Sequence, residues 1–419
     1  MNKREILAWS FYDWANSAYA TVILTFIIAP YFTQSVAPNV IAGTEAWGYA
    51  MAIAGLCVAI LSPPLSIYAE LRGLQTNMLI GFSTLAILSC SMLWWVKPQP
   101  TYQMWALTWL VVGTIGYETA IVFYNGLLRH LAPKHYLGRV SGWAWGLGYL
   151  GGLTCLGLSL TLFIQTQSSW PILDRTQAQH IRILGPFVAL WFTVFALPLW
   201  WVLYRRKTPL PQLRITFKEM WQSLRTNLSE HHILLFLLAR MLYTDGLNTL
   251  FMFGGIIAAG TFGLNTQQIL LFGIGMNLTA GLGAFTFGWL DDHIGARKTI
   301  LLSLTGLIGF TGWIFFISDT RLFVILAMCL GIFVGPVQAA SRSYLARLAP
   351  AEKQHEWFGL YAMSGRITAF LGPWLFAVFT AKFASQRAGV LAIICLWLLG
   401  GLILWRHGIA SDRLKQQAR

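Results

Sequence analysis

The chain has 419 residues, 56% of them hydrophobic and only 11% charged, with a mean hydropathy of +0.60. An ordinary soluble domain carries about 25% charged residues, so this composition excludes one and marks an integral membrane protein. Lys and Arg outnumber Asp and Glu by 29 to 15, but the excess gathers between apolar runs, which points to membrane topology and not to nucleic acid.

The chain starts with a basic Met1-Asn2-Lys3-Arg4, as a signal peptide would. Glu5 and Asp13 then interrupt the apolar region and no small-residue cleavage site follows, so residues 7–33 read as an uncleaved first span. Each crossing needs about 20 mostly apolar residues. Eleven further spans follow at 46–68, 77–96, 103–128, 140–163, 185–204, 232–259, 266–290, 299–317, 321–343, 357–381 and 387–405, the ninth and tenth divided mainly by Ser318 and Asp319. The predicted organisation is a six-helix bundle over 1–204, a cytoplasmic linker over 205–230, a second six-helix bundle over 231–406 and a cytoplasmic tail over 407–419. In the linker, Phe217, Trp221 and Leu224 stand at i, i+4, i+7 among Arg214, Lys218 and Arg225. That pattern suits an amphipathic helix lying on the membrane surface. With the N-terminus inside, cytoplasmic segments hold 21 of the 29 basic residues and the opposite side six, so both termini are expected in the cytoplasm. The five cysteines (Cys57, Cys90, Cys155, Cys329, Cys395) are isolated in apolar stretches, so neither a disulfide framework nor a metal site is expected.

Three phrases recur in order along the chain. Asp13-Trp14-Ala15-Asn16-Ser17 in the first span returns 232 residues on as Asp245-Gly246-Leu247-Asn248-Thr249 in the seventh. Glu70-Leu71-Arg72-Gly73 after the second span parallels Asp292-His293-Ile294-Gly295 after the eighth, and Leu131-Ala132-Pro133 after the fourth matches Leu348-Ala349-Pro350 after the tenth. Two related halves are the simplest account.

Twelve spans, a basic central loop and two similar halves resemble the major facilitator superfamily of transporters. Gly288-Trp289-Leu290-Asp291-Asp292-His293-Ile294-Gly295-Ala296-Arg297-Lys298 resembles that superfamily's loop between spans eight and nine. Its glycines permit a tight turn, and its charges can make breakable contacts to neighbouring helix ends. Gly288, Asp292, Gly295, Arg297 and Lys298 are therefore the expected gating residues. The first-half counterpart, Ser66 to Gln75, keeps Glu70 and Gly73 without the Arg-Lys cluster. Within the superfamily the chain is similar to the vacuole effluxer-like branch, through Tyr12–Ala20, Gly138–Gly152, Ser341–Arg347 and Phe358–Tyr361. The resemblance implies an all-α fold of twelve helices in two pseudo-symmetric bundles, with spans one, four, seven and ten lining a central cavity. It also implies export, and its fungal members imply amino acids as cargo.

Charge inside a span costs about 2.5–3.5 kcal/mol at the helix centre, so such groups are functional candidates. Counting only charges firmly inside spans, away from their ends, gives three acids (Asp13, Glu118, Asp245) and two bases (Arg240, Arg366), leaving one carboxylate over. Glu118 precedes Arg129 by eleven residues, which sets it roughly 16 Å deep. Asp13 and Glu118 are the candidates for proton coupling. Arg240 or Arg366 is expected to receive a substrate carboxylate or to pair with Asp245. Asn16, Ser17, Tyr117, Tyr124, Asn125, Asp245, Asn248 and Gln338 complete the candidate substrate site. Gly142, Gly146, Gly148 and Gly152 form two Gly-x-x-x-Gly phrases suited to close helix packing.

No Gly-Lys-[Ser/Thr] phosphate loop and no hydrolase signature occurs, which disfavours ATP-driven transport and an intramembrane enzyme. The expected function is secondary active transport of a small polar solute such as an amino acid, with protons as a candidate partner and lipid as the environment. A non-transporting sensor or scaffold with the same fold is the alternative. Neither cofactor nor nucleic acid is expected; a monomer is, in the inner membrane if the source is bacterial.

Overall fold

The computed structural model describes residues 3–164, 173–205, 231–264, 266–383 and 385–417. The linker helix expected around Phe217 to Leu224 lies outside the described residues. Among the described residues, twelve helical spans are long and apolar enough to cross a membrane. They are α1 (Lys3–Val36), α2 (Glu45–Arg72), α3 (Gln75–Trp95), α4 (Pro100–Leu131), α5 (Lys134–Ile164), α6 (Gln179–Arg205), α7 (Ile233–Gly255), α8 (Leu271–Ile294), α9 (Ala296–Phe316), α10 (Thr320–Leu348), α11 (Gln354–Phe383) and α12 (Gln386–Arg406).

Most ends are set by local chemistry. Gly73 terminates α2 in the left-handed conformation (φ 63°), which a residue without Cβ adopts freely. Asp319 starts α10 by accepting the Leu322 N–H at 2.7 Å on its carboxylate, so the expected divide at Ser318 and Asp319 is an N-cap. Two spans depart from continuous α-helix. In α1 the α-helix Lys3–Ala18 gives way to a π-helical stretch over Tyr19–Phe26 and a kink at Ile27. In α11 the helix stops at Ile367 and restarts at Leu371.

Residues fall into two compact units, Met1–Leu127 with Leu147–Arg214, and Leu128–Gly146 with Ile215–Arg419. In the first unit α1 packs on α6, α2 on α4, and α3 on both α4 and α6. In the second, α7 packs on α12, α8 on α10, and α9 on both α10 and α12. These are the same four pairings shifted by six spans, so the internal repeat read from three short phrases extends to the packing. The stretch Leu128–Gly146, assigned by sequence to the first bundle, groups with the second unit.

The glycines of α5 serve both units. Gly148, Gly151 and Gly152 run against α1, where a Cβ on Gly148 would lie 2.8 Å from Ser17 Oγ and one on Gly151 would lie 2.7 Å from Trp14 Cα. Gly142 and Gly146 run against α8, at Ala284, Gly288 and Gly281. Small residues let helix backbones approach where no hydrophobic driving force is available. Gly151→Val should therefore force α1 away from α5 and lower stability by about 1–3 kcal/mol. The unfolding midpoint in detergent reports it, with Gly157→Val, whose Cβ would meet no atom within 4 Å, as the control expected to leave the midpoint unchanged.

Candidate functional site

Two neighbouring carboxylates at the end of α8 organise the first polar centre. The side chains of Asp291 and Asp292 are each 2% exposed. Placing two anions together away from water requires cations and donors around them. Arg347, in the last turn of α10, bridges the pair, contacting Asp291 directly and Asp292 Oδ1 at 3.0 Å. Asp291 also accepts from the Ser343 hydroxyl. Asp292 faces the start of α5, accepting the backbone N–H of Gly138 at 2.8 Å and of Arg139 at 3.0 Å, with Arg139 Nε at 3.2 Å. The carboxylate thus caps the positive end of a helix from another element. Gly138 is needed there, since a Cβ would lie 2.6 Å from Asp291 Cγ and 2.8 Å from Asp292 Oδ1. Two aspartates and two arginines make the cluster electrically neutral.

A second clasp lies one turn along α5. Ser141 donates to the Ala339 carbonyl at 2.7 Å, and Arg342, buried on α10, reaches back to the Ser141 hydroxyl and carbonyl at 2.9 and 2.7 Å. Together these contacts fix Leu128–Gly146 to α8 and α10 and explain its membership of the second unit. Arg297 donates to the Trp405 carbonyl at 3.4 Å and Lys298 is exposed, while Arg347 and Arg139 neutralise the carboxylates. Neither arginine has a motif-like spacing to Asp292. The usable signal was the family-like phrases themselves, because Gly138-Arg139, Asp291-Asp292 and Ser341–Arg347 converge here.

The second polar centre lies between α7 and α11. Asp245 and Arg240 do not pair, contrary to the option that one neutralises the other. Arg240 donates to the Tyr361 carbonyl at 2.6 Å and Ser364 Oγ at 2.9 Å, and its guanidinium lies over the Tyr361 ring at 3.3 Å. Asp245, 2% exposed, accepts the Gly372 N–H at 2.7 Å. Only Asp245 answers the break in α11; the Tyr361 carbonyl that holds Arg240 lies inside the helix Gln354–Ile367. Nearby, Tyr243 and Ser341 hydroxyls lie 2.7 Å apart, and Ser341 donates to Val337. Arg366 and Gln338 are half-buried on α11 and α10.

In the first unit Asp13 accepts from Asn16 Nδ2 at 3.5 Å. Tyr117 stacks on Tyr19 with centroids 4.9 Å apart. Tyr124 is sandwiched between Trp9 and Tyr12 at 4.5 and 4.8 Å, and Trp9 donates its indole N–H to the Tyr124 carbonyl. That aromatic stack is core packing. Glu118 and Ser17 are half-buried, and Asn125 is buried. The repeated phrase is asymmetric. Asn16 is buried and Asp13 partly open, whereas Asp245 is buried and Asn248 exposed.

Comparison with known proteins places these features in a family. The family model described as "Vacuole effluxer Atg22 like" matches residues 37–418. The "Uncharacterized MFS-type transporter YxiO" of Bacillus subtilis is 25% identical over 403 residues, covering 95% of this chain and 93% of the relative. "Autophagy-related protein 22" of Candida glabrata is 22% identical over 321 residues, covering 66% of this chain and 59% of the fungal protein. Among solved structures, the proton:xylose symporter XylE bound to 6-bromo-6-deoxy-D-glucose superposes with a TM-score of 0.75 at 14% identity, covering 96% of this chain and 95% of that one.

The charge cluster generates a stability prediction. Arg347→Ala leaves two buried carboxylates without their bridging cation and should cost about 3 kcal/mol, at the low end for a broken buried pair because the guanidinium is 20% exposed. Arg297→Ala should stay within about 1 kcal/mol of the parent. Chemical unfolding in detergent distinguishes the two.

Proposed function

The chain belongs to the Atg22-like vacuole effluxer family of major facilitator transporters, and on that premise we propose that it exports a small polar solute, such as an amino acid, by proton-coupled alternating access. The observation that carries transport is the repetition of the four helix pairings in both units, joined to a family match over residues 37–418. The word effluxer in the family description supports export. XylE is a proton:xylose symporter, which supports protons as the coupling ion.

In this reading the cluster at Asp291 and Asp292 is the gate. It is neutral, internal and made of several contacts that all involve two carboxylates, so protonating or hydrating either one loosens the whole set. Opening it frees Leu128–Gly146 from α8 and α10. Asp13 and Glu118 carry the coupling proton, because each is an intramembrane carboxylate. Asn16, Ser17, Tyr117, Asn125, Asn248 and Gln338 offer hydrogen bonds to the solute, with Arg366 as the candidate for its anionic group. Arg240 and Tyr124 support the site from behind, through the α11 backbone and the aromatic stack. A non-transporting scaffold is not favoured, since the relative that covers 95% of the chain is described as an MFS-type transporter.

Purified protein in vesicles with an imposed pH gradient tests the coupling. Asp13→Asn or Glu118→Gln should lose gradient-driven flux by roughly tenfold or more, the scale of a coupling free energy, while solute exchange at equal pH persists. Full gradient-driven flux in both variants would remove these carboxylates from the coupling step.

A further inference from the structure

The break in α11 has a carboxylate set into it. The helix Leu371–Phe383 needs partners for its first N–H groups. Leu371 donates to Thr368 at 2.8 Å and Trp374 to Phe370 at 3.1 Å, while Pro373 has no N–H. The remaining donor, Gly372, finds its acceptor on another span, at Asp245 Oδ2, 2.7 Å away. Asp245 is therefore the cap of a half-helix inside the membrane. Its other oxygen, Oδ1, is buried and accepts no hydrogen bond in the structure. It points at the same helix start, because a Cβ on Gly372 would lie 3.1 Å from Oδ1 and would strike Thr249 Oγ1. Thr249 cannot turn to Oδ1 without giving up the Asp245 carbonyl, to which it donates at 2.7 Å.

We propose that Asp245 Oδ1 is a proton-binding site, and that its protonation releases the half-helix Leu371–Phe383 so that the break in α11 works as a proton-operated hinge. A proton can arrive on Oδ1 without displacing any existing bond. Once it has, the carboxyl is neutral and both the charge-assisted bond to Gly372 and the attraction to the helix N-terminus are lost. Half-helix ends at membrane depth are tolerated where they are buried in protein, and they bind ions in transporters of other folds.

Several ionisable groups on the elements around Asp245 have partners of their own. On α7, Arg240 is bonded to Tyr361 and Ser364, and Tyr243 is bonded to Ser341. On α10, Arg342 is held by Ser141, and on α8, Asp291 is held by Arg347. On α12, Arg387 donates to the Phe315 carbonyl and Cys395 is exposed. Arg366 lies on the first half of α11, on the far side of the break in sequence from Gly372. The site thus holds a carboxylate whose one recorded partner is a helix end, which makes the helix end the element that responds to its charge.

The inference rests on the transporter reading for its purpose but not for its test. Hydrogen exchange of the peptide covering Phe370–Trp374 is measured on the purified full chain across a pH series, corrected for intrinsic exchange. In the parent protein, protection should fall by at least about tenfold as pH is lowered, the factor expected for losing a hydrogen bond to a charged group. Asp245→Asn should show low protection at every pH, and Asp245→Glu should restore the pH dependence. The Tyr361–Ser364 peptide, held by Arg240, reports whether each variant is folded. A pH-independent parent overturns the proposal whether or not the variants fold, and so does an Asn variant that keeps the parent's pH dependence. No solute or gradient is used, so a chain that moves nothing in vesicles can still pass, and an active transporter can fail.

Discussion

Burying Asp291 beside Asp292 is the constraint on which the second unit depends. Two adjacent carboxylates, each 2% exposed, would repel one another and lose their hydration, so the surrounding chain must supply compensating charge from several directions. It does so with Arg347 from α10, Arg139 and two backbone N–H groups from α5, and the Ser343 hydroxyl. Those requirements fix the mutual position of α5, α8 and α10 more tightly than apolar packing in lipid could, since lipid tails offer helices no hydrophobic reason to associate. They also demand glycine at 138, where no side chain fits between the carboxylates and the helix start. The assignment of Leu128–Gly146 to the second unit follows from this one cluster.

The same principle, a carboxylate placed at a helix end, recurs at Asp245. There the helix end comes from a break within a span, and the carboxylate answers it alone. The two sites differ in what neutralises the acid. At Asp292 two arginines and two amides share the charge, a stable arrangement that several contacts must leave together. At Asp245 one amide does so, and the response to a proton is local. As proposed, a multi-contact gate and a single-contact hinge would be complementary parts for a machine that must hold one state firmly and still sense protonation.

Much of the fold was legible in the sequence because membrane helices announce themselves by length and hydropathy. All twelve spans lie where expected, with ends displaced by a few residues where 3₁₀ or π turns extend them, as at Lys134 and Leu160–Ile164. The internal repeat was also readable, from Asp13 and Asp245 onward. The unit boundary was not, because it depends on Asp292 reaching the backbone of Gly138, 154 residues away in sequence. The contact of Arg347 with the two aspartates was invisible for the same reason, whereas Arg297 and Lys298 stand next to them in the motif. The Arg240–Asp245 pair was a reasonable expectation from charge count. It was one of the options left open, and each group has another partner; the break itself could not be inferred from Thr368-Ala369-Phe370, which contains neither Gly nor Pro, although Gly372-Pro373 lies one residue further on.

The central claim is that the carboxylate cluster is a gate, and its opening can be measured as a distance within the second unit. Spin labels at Lys134→Cys on the start of α5 and His293→Cys on the end of α8, both exposed positions, report it once the five natural cysteines are replaced by serine. Electron–electron double resonance on the purified protein should give a short distance from the closed cluster together with a longer population, and Asp292→Asn should move molecules from the first to the second. A single distance that stays the same in the Asp292→Asn variant, at every pH tested, would contradict the account.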